Sequence, residues 1–154
     1  MLRERLTAEM KAAMKAGEKD KLSTVRMIQA ALKDKDIEAR VSGSGTGQID
    51  EAEILALLQK MIKQRNEAAG VYEQGGRPEL AASERSEVAI IASFLPQQMD
   101  EAETRAAIQA AIAETGAAEP KDMGKVIAAL KAKYAGRMDF GKASGFVKET
   151  LAGK

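Results

Sequence analysis

The sequence predicts an all-α protein, and three observations support this fold class. Apolar residues recur every three to four positions along most of the 154 residues. Aromatic residues make up only 3% of the chain, and β-branched residues, the other side chains typical of strands, are also scarce. No segment shows the strict alternation of a half-buried strand. We expect an N-terminal four-helix domain followed by a small C-terminal three-helix bundle.

The first two helices are predicted at about residues 2–16 and 18–40, separated by Gly17. The apolar face of the first helix consists of Leu2, Leu6, Met10, Ala13 and Met14. The stripe of the second helix consists of Leu22, Val25, Ile28 and Leu32. Residues 42–47 then alternate serine or threonine with glycine, a composition typical of flexible linkers.

The third helix is predicted at about residues 50–74, because Asp50 and Glu53 have the spacing of a capping box. Two glycines end it, and Pro78 suits the first turn of a fourth helix. We expect that helix to end near Leu95-Pro96, with Leu80 on its apolar face. These four helices form the predicted first domain, residues 1–95.

The apolar stripes of the third and fourth helices are interrupted by charges. Arg65 lies in the middle of the first stripe, and Glu84 and Glu87 lie within the second. Because an unpaired charge on a core face is costly, we expect Arg65 to pair with Glu84 or Glu87. A catalytic carboxylate pair and a partner-binding groove are the alternatives, and no nucleophile or metal set nearby supports the first of these.

After a predicted linker at residues 96–99, shorter helices form the second domain, residues 100–154. Asp100 and Glu103 repeat the capping-box spacing, and Gly116 ends the helix that they begin. The sixth helix is expected from near Asp122 to about residue 134. The last helix is expected from residue 140 or 141 to about residue 151.

Charge is distributed unevenly along the chain. The net charge of the whole chain is +1, but residues 121–154 hold eight basic and three acidic side chains. This asymmetry indicates an anionic partner for the tail, either a nucleic acid or an acidic protein, and the alternative is a solvated face without a partner. Lys142 stands near the amides of the last helix, where an anion site is expected. The candidates for phosphate contact are Lys125, Lys131, Lys133, Arg137, Lys142 and Lys148.

The absence of Cys and His excludes thiolate nucleophiles, Cys- or His-ligated zinc and Ser-His pairs. A Ser-Lys nucleophile is the covalent chemistry that this composition still allows, and Ser144 and Lys148 are four residues apart on the last helix. We interpret these two residues as part of a solvated face. We expect no metal and no cofactor. The longest apolar runs are too short for a membrane span. The first five residues are amphipathic and include the acid Glu4, which argues against a secretory signal. A cytoplasmic protein is therefore expected.

Several short segments resemble the GatB/YqeY family. In the first domain they are Ile62-Lys63-Gln64-Arg65, Tyr72, Gly76-Arg77, Glu79-Leu80, Glu84, Glu87 and Phe94-Leu95-Pro96. In the tail they are Met123-Gly124-Lys125-Val126, Gly136-Arg137-Met138-Asp139-Phe140-Gly141-Lys142, Ser144 and Val147-Lys148. The commoner tail pattern reads Asp-Gly-Lys, whereas here Phe140 separates Asp139 from Gly141.

This resemblance covers essentially the whole chain and implies a two-domain helical fold. It also implies a link to glutamine-dependent tRNA amidotransferase, whose B subunit carries a similar tail that engages tRNA. Similar modules are attached to some glutaminyl-tRNA synthetases. The expected partners are thus tRNA and either an aminoacyl-tRNA synthetase or an amidotransferase. The amidase nucleophiles and the ATP site of that enzyme lie in parts that this chain lacks, so stand-alone catalysis is not expected. The alternatives are an accessory component in amide transfer (a carbon–nitrogen ligase with glutamine as amido donor) and a protein-interaction module.

Overall fold

The computed structural model describes residues 1–43, 45 and 47–153, and this part of the chain contains seven α-helices and no strand. The all-α prediction is confirmed. Part of the predicted linker at residues 42–47, namely Ser44 and Thr46, lies outside the described residues, as does Lys154. The helices are α1 (Leu2–Ala16), α2 (Lys19–Val41), α3 (Glu51–Gln74), α4 (Pro78–Ala92), α5 (Glu101–Thr115), α6 (Met123–Tyr134) and α7 (Phe140–Ala152).

The predicted capping residues are confirmed. Asp50 accepts a hydrogen bond from the backbone amide of Glu53 at 2.9 Å, at the start of α3. At the start of α5, Asp100 accepts a hydrogen bond from the backbone amide of Glu103 at 2.8 Å. Gly17 adopts a left-handed conformation with φ of 71°, which glycine reaches without steric cost, and it ends α1 as expected.

One predicted helix boundary needs correction. Helix α4 ends at Ala92 rather than near Leu95, because the amides of Phe94 and Leu95 bond three residues back in a tightened turn. Pro96 also disfavours the helical conformation for the residue before it. Helix α6 begins at Met123, after a single 3-10 turn at Pro120–Asp122.

Backbone contacts divide the chain into two compact units, an N-terminal unit (Met1–Leu95) and a C-terminal unit (Pro96–Lys154). In the N-terminal unit α3 and α4 pack as a hairpin, and α2 contacts both α1 and α4. Two residues of the predicted apolar stripes, Met14 and Leu80, are exposed instead of buried. The largest fully buried side chains of this core are Leu6, Ile28, Ile54, Leu58, Ile91 and Phe94.

A buried polar network fixes the beginning of α1 to the end of α2. The Asp36 carboxylate accepts hydrogen bonds from the guanidinium of Arg3 and from the backbone amide of Ile49. Arg3 also donates to the carbonyl of Ile49 at 3.0 Å. One turn further along α2, Arg40 Nε donates to the carbonyl of Gly47 at 3.3 Å. The segment that leads into α3 is therefore held by two side chains of α2.

The C-terminal unit has its own hydrophobic core, built where α5, α6 and α7 contact one another. Independent folding of the two units stays a prediction. The fully buried side chains of this core include Ile108, Val126, Leu130, Met138, Val147 and Leu151.

Candidate functional site

The structure divides the six predicted phosphate-contacting residues into paired and unpaired cations. Lys133 Nζ lies 2.9 Å from both carboxylate oxygens of Glu114, and this partner raises the pKa of Lys133. Lys125 Nζ lies 3.8 Å from an oxygen of Asp122. These two lysines are already partly neutralised by acids of the same unit.

The other four candidates have no acidic partner among residues 1–43, 45 and 47–153. They lie on α6, on α7 and in the turn between these helices, and we call them the unpaired tail cations. They are Lys131, Arg137, Lys142 and Lys148.

Aromatic rings and backbone carbonyls hold two of these cations near the α6–α7 turn. The Arg137 guanidinium lies 6.0 Å from the centre of the Tyr134 ring, and its Nε donates to the carbonyl of Gln97 at 3.1 Å. Lys131 Nζ lies 5.9 Å from the centre of the Phe140 ring. Arg137 and Lys131 are thereby oriented by contacts that leave their charge uncompensated.

Residues 97–99, within the predicted linker, are bound to the α6–α7 turn. The amide of Met99 donates to the carbonyl of Arg137 at 2.9 Å, and the side chain of Gln98 donates to the carbonyl of Gly136. Gly136 has a φ of 79°, in the left-handed region that favours glycine. These bonds fix the backbone that carries Arg137.

The extra residue in the tail motif, Phe140, is accommodated at the first position of α7. Its side chain is half-buried and packs against the core of the C-terminal unit. Asp139 precedes it as the N-cap and accepts hydrogen bonds from the amides of Gly141 and Lys142 at 3.0 and 3.2 Å. This corrects the expected anion site at the start of α7: a carboxylate of the chain itself already occupies those amides. Anion binding here depends on side chains.

The C-terminal unit as a whole is not strongly basic. Residues 96–154 contain nine basic and eight acidic side chains, because α5 and its N-cap contribute acids that offset the tail. The basic excess of residues 121–154 includes Lys154, which the structure does not describe. The relevant feature is therefore the local group of unpaired cations and not the net charge.

In the N-terminal unit, Arg65 Nε lies 2.9 Å from Glu87 Oε2, across the α3–α4 hairpin. Arg65 also donates to the carbonyl of Met61 at 3.2 Å and contacts the sulfur of Met27. Glu84 is half-buried and forms no salt bridge within the described chain. This arrangement serves to fix the register of two helices.

The structure gives little support for covalent chemistry. The Ser144 hydroxyl donates to the carbonyl of Phe140 at 2.7 Å, a common arrangement within helices, rather than to Lys148. No group of three or more acidic side chains within the described ranges could hold a metal ion. A cavity of about 460 Å³ lies between α5 and α7, and no ionisable side chain lines it.

Sequence reasoning missed three acidic residues that determine this geometry. Asp139 is an N-cap, and its position just before the last helix could have revealed it. Asp36 continues the apolar stripe of α2 four residues after Leu32, the same signal that identified Arg65. Glu114 lies 19 positions from Lys133 on another helix, so only the packing of α5 on α6 reveals that pair.

None of the described helices combines the length and the apolar character needed to cross a membrane. A protein of the yeast Vanderwaltozyma polyspora, "Altered inheritance of mitochondria protein 41, mitochondrial", is 28% identical over 102 residues. The match covers 62% of this chain and 52% of the yeast protein, so the chain spans about half the length of that relative. The family model of the Yqey-like protein matches residues 3–151. Because this match extends over nearly all of the sequence, the chain belongs to the YqeY-like family.

Proposed function

We propose that this protein binds tRNA through the α6–α7 region of its C-terminal unit. The observation that carries the proposal is the group of four cations without an acidic partner in the described structure, Lys131, Arg137, Lys142 and Lys148. Uncompensated Lys and Arg side chains favour polyanions, because each phosphate contact releases counterions condensed on the nucleic acid.

The aromatic residues of the region favour contact with the RNA backbone over base readout. Tyr134 and Phe140 are half-buried, and each already faces a cation of the chain. Base stacking needs an accessible ring face, so these rings are poor platforms for it. Recognition of RNA by its shape and phosphates requires no such platform.

The family resemblance supports a role beside tRNA enzymes, and we propose the cytoplasm as the location. The protein would act as a separate chain in the way that similar tails act when fused to an amidotransferase subunit or a synthetase. We propose an aminoacyl-tRNA synthetase or an amidotransferase as the partner enzyme. The chain supplies binding in this role, and the chemistry belongs to the partner.

The test is the fluorescence anisotropy of labelled tRNA titrated with the full chain at several salt concentrations. With four phosphate contacts, the slope of log affinity against log salt is expected to be about −3. The double substitution Arg137→Glu/Lys142→Glu should weaken binding and flatten this slope. The matched control is Lys11→Glu/Lys15→Glu, two exposed α1 lysines without a salt bridge in the described structure.

Three results would contradict the proposal. Absence of binding at low salt, where the electrostatic term is strongest, would exclude a nucleic-acid interface. Equal binding of a length-matched DNA hairpin would reduce the interaction to general electrostatics. Glutamine-dependent product formation by the pure protein would show that it acts in amide transfer and not only in binding.

A further inference from the structure

The exposed side of α2 carries an unusual periodic pattern of cations. Lys19, Arg26, Lys33 and Arg40 follow one another at intervals of seven residues, and all four are exposed. No other two basic residues of the chain are seven positions apart. At 1.5 Å per residue the four positions extend over about 30 Å of helix.

Small or apolar residues lie between these cations on the same face. Each of the first three cations is followed four residues later by Ser23, Ala30 or Ile37. The combined positions alternate in steps of four and three, which is the spacing of a coiled-coil seam. We call this face the α2 seam; it consists of Lys19, Ser23, Arg26, Ala30, Lys33, Ile37 and Arg40.

The α2 seam is basic with an apolar end. Ile37 is 44% exposed, and Val41, one turn later, is 85% exposed. With 100° per residue, the seam and Val41 fall within an arc of roughly 100°, and this arc contains no acidic residue. The acids of the exposed side, Asp20, Asp34 and Glu38, lie along one edge of it.

The seam cations are not compensated by the N-terminal unit. Lys19, Arg26 and Lys33 form no salt bridge with any residue that the structure describes, whereas six of the twelve other basic side chains of this unit do. Arg40 bonds to the carbonyl of Gly47 and attracts the Asp36 carboxylate only beyond salt-bridge distance, because Arg3 holds both oxygens of that carboxylate. Two exposed apolar side chains and four cations therefore remain available to a partner.

The spacing distinguishes between possible partners. A seven-residue repeat keeps two helices in contact along their length, so it matches another helix better than a phosphate backbone. A second copy of this chain does not fit, because no two acidic residues in its sequence are seven positions apart.

From these observations we propose that the α2 seam binds a helix of another protein, whose carboxylates recur every seven residues and whose apolar side chains contact Ile37 and Val41. This surface belongs to the N-terminal unit and shares no residue with the unpaired tail cations, so the proposal does not depend on tRNA binding. The chain would then join a protein partner through one unit and RNA through the other.

The experiment uses the full chain and a synthetic helical peptide of 28 residues with glutamate at every seventh position. Alanine and leucine fill the interleaved seam positions, and a control peptide has the same composition with the glutamates moved off the seam. Fluorescence anisotropy should show at least tenfold tighter binding of the first peptide. Arg26→Glu/Lys33→Glu should lower its affinity about tenfold or more, because like charges would then face each other across the interface. Lys11→Glu/Lys15→Glu should leave the affinity unchanged.

The decisive experiment reverses the charges of the peptide and of the protein together. A peptide with lysine in place of glutamate should bind the Arg26→Glu/Lys33→Glu protein better than it binds the unchanged protein. Failure of this exchange, equal binding of the two glutamate peptides, or no binding would overturn the proposal. It would also be overturned if Arg26→Glu/Lys33→Glu weakened tRNA binding as much as Arg137→Glu/Lys142→Glu, since the seam would then be a nucleic-acid surface.

Discussion

Arg3 and Asp36 form a bidentate salt bridge, with Nη1–Oδ2 and Nη2–Oδ1 distances of 2.9 and 2.8 Å. They are 33 residues apart and join the first turn of α1 to the last part of α2. The Asp36 residue is only 6% exposed, and the Arg3 guanidinium, followed by the amide of Ile49, holds the pKa of that carboxyl below its usual value.

This lowered pKa predicts a loss of stability in acid. A carboxyl with a lower pKa in the folded state contributes stability that is complete above its unfolded pKa of about 3.9. That contribution is lost as pH falls through the folded pKa. Asp36→Asn should therefore lower the free energy of unfolding by about 3 kcal/mol at pH 7 and flatten its decline below pH 4. Urea denaturation at several pH values measures both effects.

The matched control for this experiment is Asp34→Asn. Asp34 lies on the exposed side of the same helix and forms no salt bridge in the described part of the chain. Its substitution should change the unfolding free energy at pH 7 by less than about 0.5 kcal/mol. Equal acid sensitivity of the Asp36→Asn protein and the unchanged protein would show that this pair does not govern the acid response.

The Arg65–Glu87 pair should contribute an intermediate amount to stability. Its side chains are 13% and 28% exposed, so neither is fully desolvated. Arg65→Ala should cost about 1–3 kcal/mol of unfolding free energy, between the values typical of exposed and buried pairs. Arg85→Ala, which breaks the 48% and 52% exposed pair with Glu73, should cost less than about 1 kcal/mol. Chemical denaturation of the two variants compares them directly, and equal losses would contradict this ranking.

The C-terminal unit should fold without the N-terminal unit, because α5, α6 and α7 bury one core. A fragment of residues 97–154 is small enough for its stability to be marginal. A fragment of residues 100–154 lacks the hydrogen bonds that residues 97–99 make to the α6–α7 turn, and it should be less stable by about 1–3 kcal/mol. Circular dichroism during thermal unfolding measures this difference. A coil-like spectrum of the longer fragment would show that it depends on the N-terminal unit.

Within the proposed tRNA interface, Lys131 and Lys133 should differ in effect. Lys131→Ala removes an unpaired cation and should reduce the salt slope of tRNA binding by about 1. Lys133 is held by Glu114, so Lys133→Ala should leave the slope nearly unchanged. Glu114→Gln should free the Lys133 ammonium to contact tRNA. In that background Lys133→Ala should then lower the salt slope of tRNA binding. Anisotropy titrations at several salt concentrations distinguish these cases, and equal slopes for the two alanine variants would refute the distinction.

The helices and many of their ends could be predicted from the sequence because they depend on local chemistry. The capping residue Asp50 bonds within its own first turn, and Gly17 supplies a left-handed conformation where α1 ends. The position of Arg65 on an apolar stripe also predicted that its charge needs an acidic partner. Arg65 pairs with Glu87 and not with Glu84 because of the register of α3 against α4 in the hairpin, and no local sequence pattern predicts that register.

The electrostatics of the candidate site could be predicted only in part. Counting charges along residues 121–154 identified a basic tail, but Lys133 is compensated by an acid 19 positions away. Packing of α5 against α6 brings that acid next to Lys133. The acids of α5 and its N-cap also leave the C-terminal unit nearly neutral overall. The four cations that remain unpaired are therefore a property of the tertiary structure.

The bonds from α2 to Gly47 and Ile49 close the base of the connection that precedes α3. Once both ends of a loop are fixed, the entropy cost of closing it grows only with the logarithm of its length, at about 0.6 kcal/mol for each doubling. Residues inserted after Gly43 would thus lengthen the loop without displacing α2 or α3. The connection is a natural place to attach a reporter domain, and chains with the same Asp36 and Arg40 contacts could differ there in length while keeping the same helical packing.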